Sequence, residues 1–252
     1  MAMDNIAFHP NVAPFISKRL IQHLVTSNPS PAYVKRIARV FAANANSATQ
    51  LQKVVQAILM DKEARTAPTS TRNADFGKLN EPVLFMTHLL RAFNATSDGV
   101  LDTLTVGGSA IGAAAMSQDV FRAPSVFNYY PPDYEVPGEA GLYGQAFGIF
   151  SSRTSLSRTN FVNRVVFANI PAAPPDRPTG TSIDLSPWTP LAVNPPNLVA
   201  QLNCLLLNCS MSAAMQNTIV NAVSAIPATN PLLRVQTTIY LIATSSQYRV
   251  QR

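Results

Sequence analysis

The chain has 252 residues, 47% of them hydrophobic and only 13% charged, against about 25% charged in ordinary globular chains. That supports a sizeable buried core and excludes a disordered chain. No run reaches the roughly 18 apolar residues needed to cross a bilayer. The start, Met1-Ala2-Met3-Asp4-Asn5, has neither the basic nor the apolar region of a signal peptide. A soluble chain without an export signal of its own is therefore expected.

The formal net charge of +6 is unevenly placed. Residues 1–78 hold ten basic and four acidic residues, while residues 79–252 hold nine of each. A basic surplus raises the question of nucleic acid. Yet Lys18-Arg19, Lys35-Arg36 and Arg39 are spaced as on the solvated faces of amphipathic helices, with no dense stripe interleaved with aromatics. Nucleic acid is not an expected partner. Between Asp184 and Arg234 there is no charged residue at all.

The first predicted helix runs over 14–26, with Phe15, Leu20, Ile21, Leu24 and Val25 on one side. Asn28-Pro29-Ser30-Pro31 ends it and starts the next, because Ser30 suits an N-cap and Pro31 the first helical position. Val34, Ile37, Ala38 and Phe41 then recur at core spacing. Ser47 is the predicted cap of a third helix carrying Leu51, Val54, Val55, Ile58 and Leu59. The polar stretch Thr66 to Asp75 reads as a loop. A fourth helix starts at about Glu81, with Pro82 in its first turn and Leu84, Leu89, Leu90 and Phe93 following.

From Thr96 to about Leu142 the periodicity dissolves into Gly107-Gly108, the small-residue run Gly112 to Ala115, and the aromatic, Pro-rich stretch Arg122 to Tyr134. Helix returns over 157–169, followed by a Pro-rich connector from Pro171 to Pro196. Three more helices close the chain. They are Asn197 to Asn208, a segment capped by Ser212 with Ile219, Val220 and Val223, and one opened by Asn230-Pro231 with Val235, Ile239, Ile242 and Ala243 inward. No stretch alternates as a strand does and no repeat recurs. The expected fold is all-α, one domain of seven to eight amphipathic helices. It has a basic helical part (1–97), an irregular middle (98–156) and a C-terminal helical part (157–252).

Cys204 and Cys209 would stand about 8 to 9 Å apart on a continuous helix, beyond the roughly 7 Å reach of a disulfide. A bridge requires the helix to end before Cys209, which Ser210-Met211-Ser212 allows; two buried free thiols are the alternative. No His lies beside them, so the pair is no metal signal.

Several segments, taken together, resemble one family. They are His9 to Phe15, Leu20-Ile21 through Pro31, Tyr33-Val34, Asp61 to Arg65, Gly77 to Val83, Ala123 to Tyr134, and Thr244 to Tyr248 with Val250-Gln251-Arg252. The chain resembles the C-terminal half of the bacterial domain-of-unknown-function family numbered eighteen hundred. The resemblance covers nearly the whole chain. It implies a longer, exported protein, often encoded beside a sulfatase-like secreted protein, and it supplies no reaction. The upstream half of the family domain, a second copy of the chain and the sulfatase-like protein are the partners it suggests. Two departures stand out. Gln145-Ala146 and Ser246-Gln247 occupy places where the family pattern has Pro-Glu.

No constellation spells out catalysis. His9, His23 and His88 lack the HExxH spacing of a zinc hydrolase, and no metal or other cofactor is expected. Gly107-Gly108-Ser109 reads as a flexible loop before an oxyanion loop, and no Gly-x-Ser-x-Gly elbow is present. Glu81 reads as an ion-pair partner for Lys78 or Arg65 before an acid catalyst.

The best candidate is the loop Ser125 to Tyr134. There Ser125, Asn128, Tyr129, Tyr130, Asp133 and Tyr134 offer aromatic faces beside hydrogen-bonding groups, suited to carbohydrate or peptide. The competing reading has Phe127 and one or two of the tyrosines plugging the core beneath the loop. The uncharged stretch from Leu185 to Leu233 is either buried on most sides or turned toward a partner. Two functions follow. One is an interaction module of an exported bacterial protein. The other is an accessory hydrolase of envelope or extracellular polymer, with Glu81, Asp119 or Asp133 as acid or base.

Overall fold

A computed structural model describes residues 2–66 and 76–251; the expected loop over 66–75 lies, past Thr66, outside them. The chain divides into two compact units. The first comprises Met1–Leu79, Pro131–Phe147 and Gln251–Arg252, and the second Asn80–Tyr130 and Gly148–Val250.

The first unit is helical because its breakers are well placed. Helix α1 (Ala2–Ala7) precedes α2 (Val12–Leu24). Ser30 then accepts from the Tyr33 N–H at 3.1 Å and Pro31 opens α3 (Pro31–Ala43), as its sequence predicts. Helix α4 (Gln50–Met60) starts later than its predicted cap. Thr49 holds the N-cap position, and Ser47 instead accepts from the Thr49 N–H. Helices α2, α3 and α4 enclose a core of Ile21, Tyr33, Ile37, Val54 and Ile58.

Around this core a tyrosine and an arginine are matched to acceptors. The buried Tyr33 hydroxyl donates to the Ile58 carbonyl at 2.6 Å. The Nε and Nη2 of Arg36 donate to the two oxygens of Asp61, both at 2.7 Å. Asp61 also caps α5 (Lys62–Arg65) by accepting from the Glu63 N–H.

In the second unit six helices surround one apolar core: α6 (Pro82–Ala92), α7 (Ser152–Phe167), α8 (Pro195–Leu207), α9 (Ala213–Ser224), α10 (Pro231–Ala243) and α11 (Ser246–Arg249). Helix α10 packs against α7, α8 and α9 through Val235, Ile239, Ile242 and Ala243. Its neighbour α7 begins at Ser152, earlier than the apolar pattern indicates. A capping box of Ser151 and Thr154 starts it within a polar run.

Strands here are two residues long. Thr96–Ser97 pairs with Thr181–Ser182, and Thr105–Val106 with Ser109–Ala110. The second pair closes through Gly107 and Gly108, both at positive φ, so this glycine pair is a tight hairpin turn. The Pro-rich connector is more ordered than its composition suggests, since Ser186–Val193 forms a 3-10 helix.

Helix α8 stops at Leu207 because Asn208 turns left-handed, at φ 51. Cys209 follows at φ 60, and Cys204 and Cys209 form a disulfide with Cα atoms 3.9 Å apart. Of the two alternatives open to the cysteines, the bridged one holds.

The uncharged stretch divides. Leu198, Val199, Leu202, Leu206 and Leu207 bury most of α8, whereas α9 turns Asn217, Thr218, Asn221 and Ser224 to solvent. The arginine that ends the stretch is consumed internally. Arg234 donates from Nε and Nη2 to the Ile226 carbonyl (2.9 and 2.7 Å) and from Nη1 to the Ala192 carbonyl at 2.8 Å. Among the described residues no helix is long and apolar enough to cross a membrane.

Candidate functional site

The six residues of the predicted loop fall in both units. Ser125, Asn128, Tyr129 and Tyr130 belong to the second, and Asp133 and Tyr134 to the first. In the second unit the segment is a tip standing on a polar base. Ser125 and Asn128 close a turn, with the Asn128 N–H donating to the Ser125 carbonyl at 3.2 Å and the Phe127 N–H to the Ser125 hydroxyl at 3.1 Å. Asn128 sits at φ 75, a left-handed conformation asparagine tolerates better than most residues.

The hydrophobic residues of this tip do not plug a core. Phe121 is 100% exposed, Val126 95% and Phe127 66%. Phe121 also holds a positive φ of 64, which is uncommon for an aromatic residue. The tyrosines anchor the base instead. Tyr129 donates its hydroxyl to the Asp119 carbonyl. Tyr130 hydrogen-bonds the Glu81 carboxylate, and burial first, that negative charge second, pushes the phenol's pKa up, so it remains a donor.

Glu81 is thereby a structural acceptor. The Gln118 amide donates to it at 2.6 Å, and Gln118 Oε1 accepts from the Val83 N–H at 2.9 Å, satisfying the first turn of α6. Gln118 had no signal in the sequence, since an isolated amide in an irregular segment marks nothing. Asp119 stands at the rim, with one oxygen 3.6 Å from Arg122.

In the first unit Asp133 is exposed and Tyr134 half-buried. The Tyr134 carbonyl accepts from the Gly144 N–H at 2.9 Å, and Val136 pairs with Leu142, so the segment folds back on itself. The breaker residue Asn28 secures it. Its amide donates to the Tyr143 carbonyl at 2.8 Å and accepts the Tyr143 N–H at 2.9 Å, as a neighbouring strand would. Arg19 adds a 2.7 Å bond to the Pro132 carbonyl, and Lys18 lies over the Tyr143 ring.

This arrangement of capped helices, Asn28 clamp and aromatic tip uses the same segments that carry the family resemblance. The model of a family of proteins of unknown function, DUF1800, matches residues 1–250. The chain belongs to the DUF1800 family. No curated protein and no solved structure matches it.

At both places where the resemblance leads to an expected Pro-Glu, a glutamine side chain of this DUF1800 chain is engaged, and Gln145 Nε2 donates to the Pro132 carbonyl at 3.2 Å. Gln247 accepts from the Ser212 N–H at 3.0 Å and donates to the Ser212 hydroxyl at 2.8 Å. A carboxylate would accept there but not donate.

Two of the histidines of this DUF1800 chain have visible local contacts. His9 Nδ1 accepts from the Asn11 N–H, and His88 stacks on Tyr248 at 5.6 Å, where partial burial lowers its pKa. Among the described residues no three His, Cys, Asp or Glu side chains gather to hold a metal ion. Two open grooves mark the first unit. One of about 610 Å³ runs along α2 and α3, with Val34 and Ala38 in it and Lys18, Lys35 and Arg39 on its rim. A smaller one of about 390 Å³ is lined by Ile6, Val12 and Phe15 with polar neighbours. No carboxylate lines either groove.

Proposed function

We propose that this chain is a non-catalytic interaction module of an exported bacterial protein, docking through the tip formed by Phe121, Val126 and Phe127. The observation that carries the reading is the exposure of Val126 and Phe127 on the Ser125–Asn128 turn, and of Phe121 on the turn before it, beside a base held by Tyr129 and Gln118. Apolar groups held in water by an ordered turn are characteristic of contact sites. The occupant proposed is a partner protein, the sulfatase-like secreted protein that the family resemblance suggests. Export draws support from the Cys204–Cys209 bridge, because disulfides persist in oxidising compartments. The hydrolase reading has less behind it. Glu81 is buried under Gln118 and Tyr130, and neither groove collects Glu81, Asp119 or Asp133.

The test is a Phe121→Ser, Val126→Ser, Phe127→Ser triple variant, titrated against the sulfatase-like protein by calorimetry. Affinity is expected to fall about thirtyfold or more, the loss of one hot-spot cluster, with the circular dichroism spectrum unchanged. Equal affinity for both chains would sink the tip as the docking site. Concentration-dependent self-association of the wild type, abolished in the variant, would replace the partner by a second copy.

A further inference from the structure

The second unit buries a cluster with more donors than acceptors. Arg158, on α7, is 1% exposed. Its guanidinium lies 5.2 Å from the Phe85 ring centre and 5.5 Å from that of Phe150, and Arg249 lies over the same Phe150 ring at 5.5 Å. Asn80 ties the parts together. Its carbonyl accepts from Arg158 Nη1 at 2.9 Å, while its own N–H and amide donate to the carbonyls of Arg249 (2.7 Å) and Tyr248 (3.3 Å). Arg249 Nη1 donates to the Ser155 hydroxyl at 2.8 Å.

What remains is uniform in kind. Among the described residues, Arg158 Nε and Nη2, Arg249 Nε and the Tyr248 hydroxyl are all buried without a hydrogen-bond partner. No described carboxylate forms an ion pair with either arginine. Aromatic faces offset part of the cost of a buried cation, but they leave its N–H groups unmet. Burial, and then the charge of Arg249, pushes Arg158 down to about 10, so it is still cationic at neutral pH. Burial pushes Tyr248 up, so its hydroxyl keeps its proton.

The bare edge has a defined shape. Nε and Nη2 of one guanidinium point the same way and match two oxygens of one anion. The chain itself demonstrates the match, since Arg36 uses this edge to hold both oxygens of Asp61. We propose that Arg158, Arg249 and Tyr248 form an oxyanion site, in which the Nε/Nη2 edge of Arg158 takes two oxygens of a carboxylate, sulfate or phosphate group. Arg249 Nε and the Tyr248 hydroxyl supply the remaining donors. Phe150 and Arg249 are only partly buried, which gives the cluster a solvent-facing side.

Equilibrium dialysis of the full chain with radiolabelled sulfate, at fixed ionic strength, tests the site. The expected result is saturable binding of one sulfate per chain. It should weaken about tenfold in Arg249→Gln and less in Tyr248→Phe, which removes only a hydroxyl. Lys18→Gln, in the groove of the other unit, should bind as wild type does. Competition by phosphate but not acetate assigns a tetrahedral group, and competition by acetate assigns a carboxylate. The proposal is overturned if none of the three anions binds saturably, or if Lys18→Gln loses as much affinity as Arg249→Gln. Tyr248→Phe keeps the test decisive should Arg249→Gln fail to fold: a folded variant with unchanged sulfate affinity counts against the site.

Discussion

On α3, Tyr33 gives its hydroxyl to the Ile58 carbonyl and Arg36 gives a two-pronged edge to Asp61. In the other unit Tyr248 and Arg158 are also buried, yet the hydroxyl and the same arginine edge meet no described acceptor. A third arginine, Arg234, shows a second way to bury this charge in a unit poor in carboxylates, because it takes the carbonyls of Ile226 and Ala192. Carbonyls near a helix C-terminus carry partial negative charge and lack intrahelical donors, so a cation there serves both. The three arginines thus have the same fork and different acceptors: a carboxylate, two carbonyls, and, by our proposal, an anion from outside the chain.

The largest effect should come from breaking the satisfied member of the second unit. Arg234→Met strands the buried Ala192 carbonyl and the half-buried Ile226 carbonyl and removes three charge-assisted bonds, a loss of about 3 to 5 kcal/mol by the usual cost of breaking a buried charged contact. Denaturant unfolding at neutral pH would measure it, and a loss under about 1 kcal/mol would show that water replaces the guanidinium. Arg158→Met should move stability the other way in a buffer free of sulfate, phosphate and carboxylates. It removes an uncompensated cation and keeps an apolar side chain over Phe85 and Phe150, a gain of about 1 to 3 kcal/mol. A destabilised Arg158→Met would mean that the aromatic rings and Asn80 already satisfy the charge.

Much of the helical framework was legible in the residues, because it is written in local signals. Ser30 and Ser212 start helices through their side chains, and Pro31 and Pro231 through their fixed φ. Helix α11, by contrast, is four residues long and depends on the Ser245 cap, too short to show a period. The candidate loop was legible as an unusual segment but not in its geometry. Nothing local distinguishes Phe127, which is exposed, from Phe85, which is buried. Arg158 was invisible for a related reason. It lies in a polar-looking helix, and its burial depends on Phe85, Asn80 and Phe150, brought to it by tertiary packing.

The smallest of the effects bears on the paired arginine and separates it from the others by pH. Asp61 has an 8% exposed side chain against 33% for Arg36, so the pair is only partly screened by solvent. Arg36's hydrogen bonds hold the Asp61 pKa below its ordinary value, with the Glu63 N–H contributing. A carboxyl depressed on folding stabilises the folded state fully above its unfolded pKa, near 3.8, and that contribution disappears as pH falls through the folded value. Asp61→Asn should therefore cost about 1 to 2 kcal/mol at pH 7, the range for charge-assisted bonds at a half-buried site. Wild type and variant should converge as unfolding is repeated toward pH 3. Arg234→Met has no carboxylate in its contacts, so its deficit should persist across the same range. A difference for Asp61→Asn that stays constant down to pH 3 would place the stabilising role of Asp61 in the α5 cap rather than in its charge.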